Sequence, residues 1–155
     1  ILKKNSKKLK YITYRFGTIA GISKGMRFHT AVNRFSLEAS LNNPLPIWKK
    51  MMYKPKPYLS LKDAFKVIKF TIEKDFFHND VFNILSENLT LHQIIKFFKQ
   101  NKKQIKIKYH NSKLINQFAY TISDKKFSSQ AFRLKSKIKN DIKDTLKLLG
   151  NFNEM

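Results

Sequence analysis

Apolar residues recur at helical spacing in three stretches of the chain and alternate in one. Leu61, Phe65, Ile68, Ile72 and Phe76 follow one another three or four residues apart, which predicts a helix over residues 60–77 with these side chains inward. Ser60-Leu-Lys-Asp63 at its start resembles a capping box, with Asp in place of the usual Glu. Val67, Phe70 and Phe77 widen the apolar surface beyond one stripe, so this helix is buried on two sides or meets a partner. Thr90-Leu-His-Gln93 is a second capping-box pattern, opening a helix with Leu91, Ile94, Ile95 and Phe98 inward. From about Ser129, Leu134, Ile138, Ile142, Leu146 and Leu149 recur at the same spacing, and Gly150 supplies a stop. Residues 80–86 read as a short turn of helix. Residues 104–109 read as a strand, with Ile105, Ile107 and Tyr109 on one face and Lys106 and Lys108 on the other. Residues 114–122 fit either period, and their helical neighbours favour helix.

The first 59 residues have a different texture. All four prolines (Pro44, Pro46, Pro55, Pro57) and three of the four glycines (Gly17, Gly21, Gly25) lie there. Residues 30–41 make a short helix with Ala31, Phe35, Leu37 and Leu41 as its apolar set. The proline segments that follow are extended, because proline fixes φ and disfavours helix at the residue before it. Such a stretch builds no core of its own. The expected fold is therefore mainly α, or α+β with one or two short strands. A compact helical domain over 60–155 follows a long extended basic arm over 1–59 that holds the one short helix.

Charge changes the picture. The chain of 155 residues carries 32 Lys and Arg against 10 Asp and Glu, a net +22. Self-repulsion at that density opposes compaction, and a polyanion that neutralises it is the simplest remedy. Phe, Ile, Asn and Lys, all with A/T-rich codons, dominate the composition. Codon bias explains Lys over Arg but not the scarcity of acids. There is no cysteine, which excludes disulfides, thiol catalysis and cysteine-based metal sites. No stretch approaches about 20 apolar residues, so no membrane-spanning helix is expected. The sequence starts at Ile1, as a processed organellar protein would, or a trimmed one.

Three features carry candidate chemistry. Lys135, Lys139, Lys143 and Lys147 fall four residues apart beside the apolar row of the last helix, placing a row of cations to lie along phosphates or on a solvated face. Gly17, Gly21 and Gly25 form a G-x-x-x-G-x-x-x-G array beside Arg15, Lys24 and Arg27. This is no P-loop, but it suits a backbone close to phosphates, or a linker. Aromatics interleave with cations: Tyr11, Tyr14, Phe16, Phe28 and Phe35 with Lys10, Arg15, Arg27 and Arg34; Trp48, Tyr53 and Tyr58 with Lys49, Lys50, Lys54 and Lys56. That mixture stacks on bases while holding phosphates; Trp48 also suits anchoring to a protein. With Lys3, Lys4, Lys7 and Lys8, these cations are the expected RNA-binding set.

His29, His78, His92 and His110 stand singly, in no H-x-x-x-H spacing, so no metal site is expected. Asp141 and Asp144 share a helix face amid lysines, where their pKa values should fall. No nucleophile–base–acid set is defensible, so neither catalysis nor a cofactor is expected. The function this implies is a structural component of a ribonucleoprotein, a mitochondrial ribosomal protein of the organelle matrix. It would bind ribosomal RNA and neighbouring ribosomal proteins and take no small-molecule substrate. The alternative is an accessory subunit of an organellar membrane-associated complex, its lysines facing anionic lipid or partner proteins. A helix-turn-helix DNA binder around residues 90–103 is a weaker third, because the second helix gives way to a strand pattern.

Overall fold

The computed structural model describes residues 9–111 and 119–151. They form an α/β fold in which seven strands alternate with five helices. The order is β1 (Ile12–Phe16), β2 (Thr18–Ala20), α1 (Ala31–Ser40), β3 (Leu45–Trp48), β4 (Lys56–Ser60), α2 (Leu61–Glu73), β5 (Asp80–Ile84), β6 (Glu87–Leu89), α3 (Leu91–Asn101), β7 (Ile107–His110), α4 (Lys125–Gln130) and α5 (Ile138–Asn151). No described helix is long and apolar enough to cross a membrane.

The expectation of a mainly helical protein with an extended arm is overturned. Residues 9–60 contribute four of the seven described strands, and all four take part in parallel pairs, two of them with strands beyond residue 79. β1 pairs with β5, β2 with β4, and β3 with β7. The proline segments are extended, as proline dictates, but they are paired: Leu45–Trp48 is β3 and Lys56–Ser60 is β4. β4 also pairs with β6, antiparallel. The charge boundary at residue 59 falls where β4 runs directly into α2.

A single residue, Gly17, separates β1 from β2, and here the strand changes partner. Phe16 lies opposite Ile84 of β5, whereas Thr18 lies opposite Tyr58 of β4. The Gly17 amide donates to the Ile84 carbonyl at 2.9 Å. A Cβ at Gly17 would stand 3.1 Å from the carbonyl carbon and oxygen of Pro57, so a side chain here would crowd the β4 backbone and glycine suits the switch.

Two cores result. One gathers Val32 and Phe35 of α1, Leu45 and Ile47 of β3, Ile94 and Phe98 of α3, and Ile138 and Ile142 of α5. The other gathers Ala64 and Val67 of α2, Phe82 and Ile84 of β5, and Phe127 of α4. Phe127 meets the rings of Tyr14, Phe70, Phe76, Phe82 and Phe132 edge-on.

Element by element, the hydrophobic pattern succeeds unevenly. α1 spans the expected residues, but it buries Val32, Phe35 and Ala39 while Leu41 is exposed. α3 has the capping box in full: the Gln93 amide donates to the Thr90 hydroxyl, and the Gln93 side chain accepts from the Thr90 amide. α2 forms where expected but with the opposite face inward. Ala64, Val67 and Thr71 are buried, and Phe65, Ile68 and Ile72 are exposed. Its expected capping box is absent. The Ser60 hydroxyl donates to Asp141, and Asp63 serves other donors. Of residues 80–86, Asp80–Ile84 is strand and none is helix, because a short apolar run flanked by polar residues has no period to separate the two. In β7, Tyr109 is more than half exposed rather than inward. The last helix starts at Ile138; Lys135 precedes it, which breaks the row of four lysines. Most of residues 114–122, the segment read as helix or strand, lies outside the described residues. Residues 119–122 are neither helix nor strand.

Candidate functional site

Parallel pairing of β2 with β4 brings two distant parts of the chain together beside the start of α1. Thr18 of β2, His29 and Thr30 ahead of α1, Arg34 and Phe35 on it, Trp48 of β3 and Lys54, Lys56 and Tyr58 on or before β4 surround a cavity of about 220 Å³. Met51 and Leu91 complete an apolar wall. Phe35 and Tyr58 are rooted in the first core, at 1% and 2% exposure, so the wall is rigid.

The electrostatics of this cavity have one sign. Arg34, Lys54 and Lys56 line it, and no carboxylate does. The Arg34 guanidinium has one acidic neighbour, Glu38, at 3.7 Å one turn along α1. Burial pulls the Lys56 ammonium below its ordinary pKa, as expected of a cation in a partly dry site. The N-terminus of α1 adds to the field. It has no acidic residue in its first turn and no side-chain cap. The Thr30 hydroxyl oxygen at its N-cap is buried without a hydrogen-bond partner. A helix start with open N–H groups is an anion site. Burial pushes the Tyr58 phenol up to about 12, so it stays protonated and serves as a hydrogen-bonding group rather than a base. The chemistry on offer is anion binding with aromatic and apolar contacts alongside.

Of the expected RNA-binding cations, three are brought together and the other described ones are scattered. Arg34, Lys54 and Lys56 enter the cavity. Lys10 pairs with Asp75 at 3.0 Å. Arg15 lies exposed on β1, Lys24 and Arg27 are exposed between β2 and α1, and Lys49 and Lys50 are exposed in a 3-10 turn. Lys139, Lys143 and Lys147 are exposed on α5, with Lys135 outside it. Lys3, Lys4, Lys7 and Lys8 lie outside the described residues. Thr18 carried no signal in the sequence, because only the β2–β4 pairing sets it opposite Tyr58, and His29 and Thr30 reach the cavity only through the start of α1. Among the described residues no group of three His, Asp or Glu side chains is placed to hold a metal.

A second polar cluster is structural. Asp63 is fully buried, and accepts from Ser86 Oγ at 2.8 Å, from the Ser136 amide at 3.1 Å and from Ser136 Oγ at 2.7 Å. It thereby ties α2, the β5–β6 turn and the lead into α5 together. Asp141, on α5, accepts from Ser60 Oγ at 3.0 Å through one oxygen, while its other oxygen is buried without a partner. Its pKa is raised to about 6, chiefly by burial, against the lowering effects of Ser60 and Lys62. The lysine-rich sequence around it suggested a fall. The fold decides otherwise, because it takes the carboxylate out of water.

No protein-family model and no curated protein matches the sequence. Solved structures do match the fold. UDP-glucuronic acid 4-epimerase from Bacillus cereus, in complex with UDP-glucuronic acid and NAD, superposes with a TM-score of 0.82 over 97% of this chain and 49% of its own, at 15% identity. The fold is shared. UDP-glucose 4-epimerase from Thermotoga maritima, with UDP-glucose, gives 0.80 over 98% and 50%, at 16% identity. dTDP-glucose 4,6-dehydratase from Bacillus anthracis, in complex with NAD, gives 0.70 over 99% and 49%, at 18% identity. The chain thus spans about half the length of the structures it matches. An α/β fold carried by enzymes of nucleotide sugars overturns the expected ribosomal protein, its ribosomal RNA partner and the accessory membrane subunit. It equally overturns the expectations of no enzyme and no small-molecule substrate.

Two of those structures hold NAD, and the residues present here do not fit it. A dinucleotide's pyrophosphate needs a G-x-G-x-x-G turn leading into an open helix N-terminus, and this sequence has no such spacing. The β4–α2 junction instead buries the Asp63 carboxylate in the first turn of α2. The start of α3 is closed by its capping box.

Proposed function

We propose that this chain is the substrate-binding portion of a nucleotide-sugar epimerase or dehydratase, and that the cavity between α1 and β4 takes the nucleoside diphosphate. The observation that carries this is the cavity's composition: Arg34, Lys54, Lys56 and the open start of α1 around one space, with no carboxylate, beside Phe35, Trp48 and Tyr58. Phosphates match the cations and N–H groups, and a planar base matches the aromatic wall. The fold match supports the reading, since the B. cereus and T. maritima structures hold UDP-sugars. The cavity offers binding and orientation. Its own side chains include no carboxylate to act as a base, and Tyr58 is held protonated.

Trp48 is the sole tryptophan and lines the cavity, so its fluorescence reports occupancy. Titration with UDP-glucose, dTDP-glucose, UDP and uridine should quench or shift that emission for the diphosphates, with uridine far weaker. Lys54→Gln and Lys56→Gln should each weaken UDP binding about tenfold or more, the loss expected for a charge-assisted hydrogen bond. No response to any diphosphate, or equal response to UDP and uridine, overturns the proposal.

A further inference from the structure

The lobe built on β1 and β5 is finished on one side and open on the other. Two parallel strands do not make a stable sheet alone, and parallel sheets are normally covered on both faces. The far side of β5 is closed: the Lys126 ammonium donates to the Val81 carbonyl at 3.3 Å, and the Asn83 amide donates to the Ser123 carbonyl at 3.5 Å. β1 has no strand neighbour other than β5 among the described residues, and Arg15 and Phe16 at its end are exposed.

α2 lies over this sheet, with its Thr71 hydroxyl bonded to the Tyr14 hydroxyl. One flank of α2 turns towards α4, where the Phe70 ring meets Phe127 and Phe132. α4 in turn sits on β5, with Lys126 paired to Asp80 at 2.5 Å. The opposite flank of α2 therefore overhangs β1. That flank is the apolar row Leu61, Phe65, Ile68 and Ile72, of which the last three are 65%, 47% and 70% exposed. Ile22 joins Leu61 and Phe65 around a hollow of about 700 Å³ whose charged lining is Lys62, Lys66 and Lys69 against Asp141 and Asp144. Among the described residues Lys62 pairs with Asp144 at 2.8 Å, Lys66 with the buried Asp63 at 3.8 Å and Lys69 with Glu73 at 3.6 Å; the lysine side chains are all more than half exposed, so these pairs add little stability.

We infer that this flank seats an acidic α/β unit. One of its strands adds in parallel to the free edge of β1. One of its helices lays an apolar face on Phe65, Ile68 and Ile72, with its carboxylates towards Lys62, Lys66 and Lys69. Three observations select this occupant. Only backbone satisfies the open edge of a strand, which a lipid surface does not. A second copy of a +22 chain would set lysines against lysines. The matched structures continue for about as many residues again as they share with this chain. No residue of the flank lines the nucleotide cavity, so the two sites are tested separately.

The chain has no cysteine, so introduced thiols report cover one position at a time. Phe65→Cys, Ile68→Cys and Ile72→Cys alter exposed side chains and leave the cores intact. In the purified chain they should react with a maleimide as fast as Lys99→Cys on the solvent side of α3. In undiluted extract of the source cells they should react about tenfold more slowly while Lys99→Cys is unchanged, as protection by a stable cover requires. A benzophenone maleimide on the Ile72→Cys thiol then cross-links to whatever adjoins it, and peptide mapping reads the product. Peptides from an acidic strand–helix segment are the expected result. Peptides from a second copy, a lipid adduct, or unprotected thiols in extract would overturn the inference. Retention of the Trp48 response to UDP separates this outcome from failure of the nucleotide reading.

Discussion

The two lobes solve the same burial problem to different degrees. Around the first core, α1, α3 and α5 close on β3, and Phe35, Leu45, Ile47, Ile94, Phe98, Ile138 and Ile142 are all 0–1% exposed. Around the second, α2 and α4 cover one face of β1 and β5, while β1 keeps a free edge and α2 keeps an apolar flank in solvent. The first lobe holds the cavity. The second is held chiefly by a cluster of aromatic rings around Phe127. The difference teaches that the completed lobe carries the cationic cavity, while the open lobe keeps an apolar flank and a strand edge uncovered among the described residues.

The largest effect that sharpens this comparison comes from Phe127. The residue is fully buried among five other rings. Phe127→Ala should cost about 3–5 kcal/mol by lost transfer energy and the cavity left behind. The loss should fall on the open lobe. In thermal melts the far-UV circular dichroism should show an early step, while Trp48 fluorescence, from β3 in the completed lobe, keeps its own later transition. Coincident transitions for both probes would mean that the two lobes are one cooperative unit, and would remove the comparison.

That contrast also explains what the sequence made legible. A capping box is local chemistry, so Thr90 and Gln93 revealed the start of α3. Helical spacing revealed that α2 exists, but assigning its face assumed that the most apolar side is the core side. In the completed lobe the assumption holds for Ile94, Ile95 and Phe98. In the open lobe it fails, because Phe65, Ile68 and Ile72 face away from the core, which takes Ala64, Val67 and Thr71. Parallel pairing is non-local, so no pattern within residues 9–59 showed that they held paired strands. The cavity was half visible for the same reason. Trp48, Lys54, Lys56 and Tyr58 stood together as a cationic, aromatic run read as stacking on unpaired RNA bases while holding phosphates. The chain-wide charge then turned that run towards RNA, and the Thr18 and His29 walls carried no signal at all.

A smaller effect tests the seam between the lobes, where Asp141 of α5 meets Ser60 at the start of α2. Its folded-state pKa of about 6 lies above the ordinary 3.8, so the native state binds the proton more tightly than the unfolded chain. The stability this gives is fully present below the unfolded value and is lost as pH rises through about 6. Asp141→Asn, which keeps the shape and removes the charge, should leave stability near pH 4 little changed and raise it by about 1–2 kcal/mol at pH 7.5. Denaturant midpoints at the two pH values check this. A variant less stable than the parent at pH 7.5 would mean that the ionised carboxylate is a working part of the seam.

The smallest effect is the most direct probe of the open flank. Ile72 is 70% exposed on α2, whereas Ile142 on α5 is fully buried. Ile72→Gln should therefore change the stability of the purified chain by no more than about 0.5 kcal/mol, as for a surface site. The same change at Ile142 would bury an unpartnered amide and unfold the completed lobe. Ile72→Gln should also make the purified chain less prone to self-association, because it interrupts the exposed apolar row. Light scattering against concentration measures that directly. If Ile72→Gln instead destabilises the isolated chain by as much as a core substitution, the flank is already covered within this chain, and the open lobe is not open.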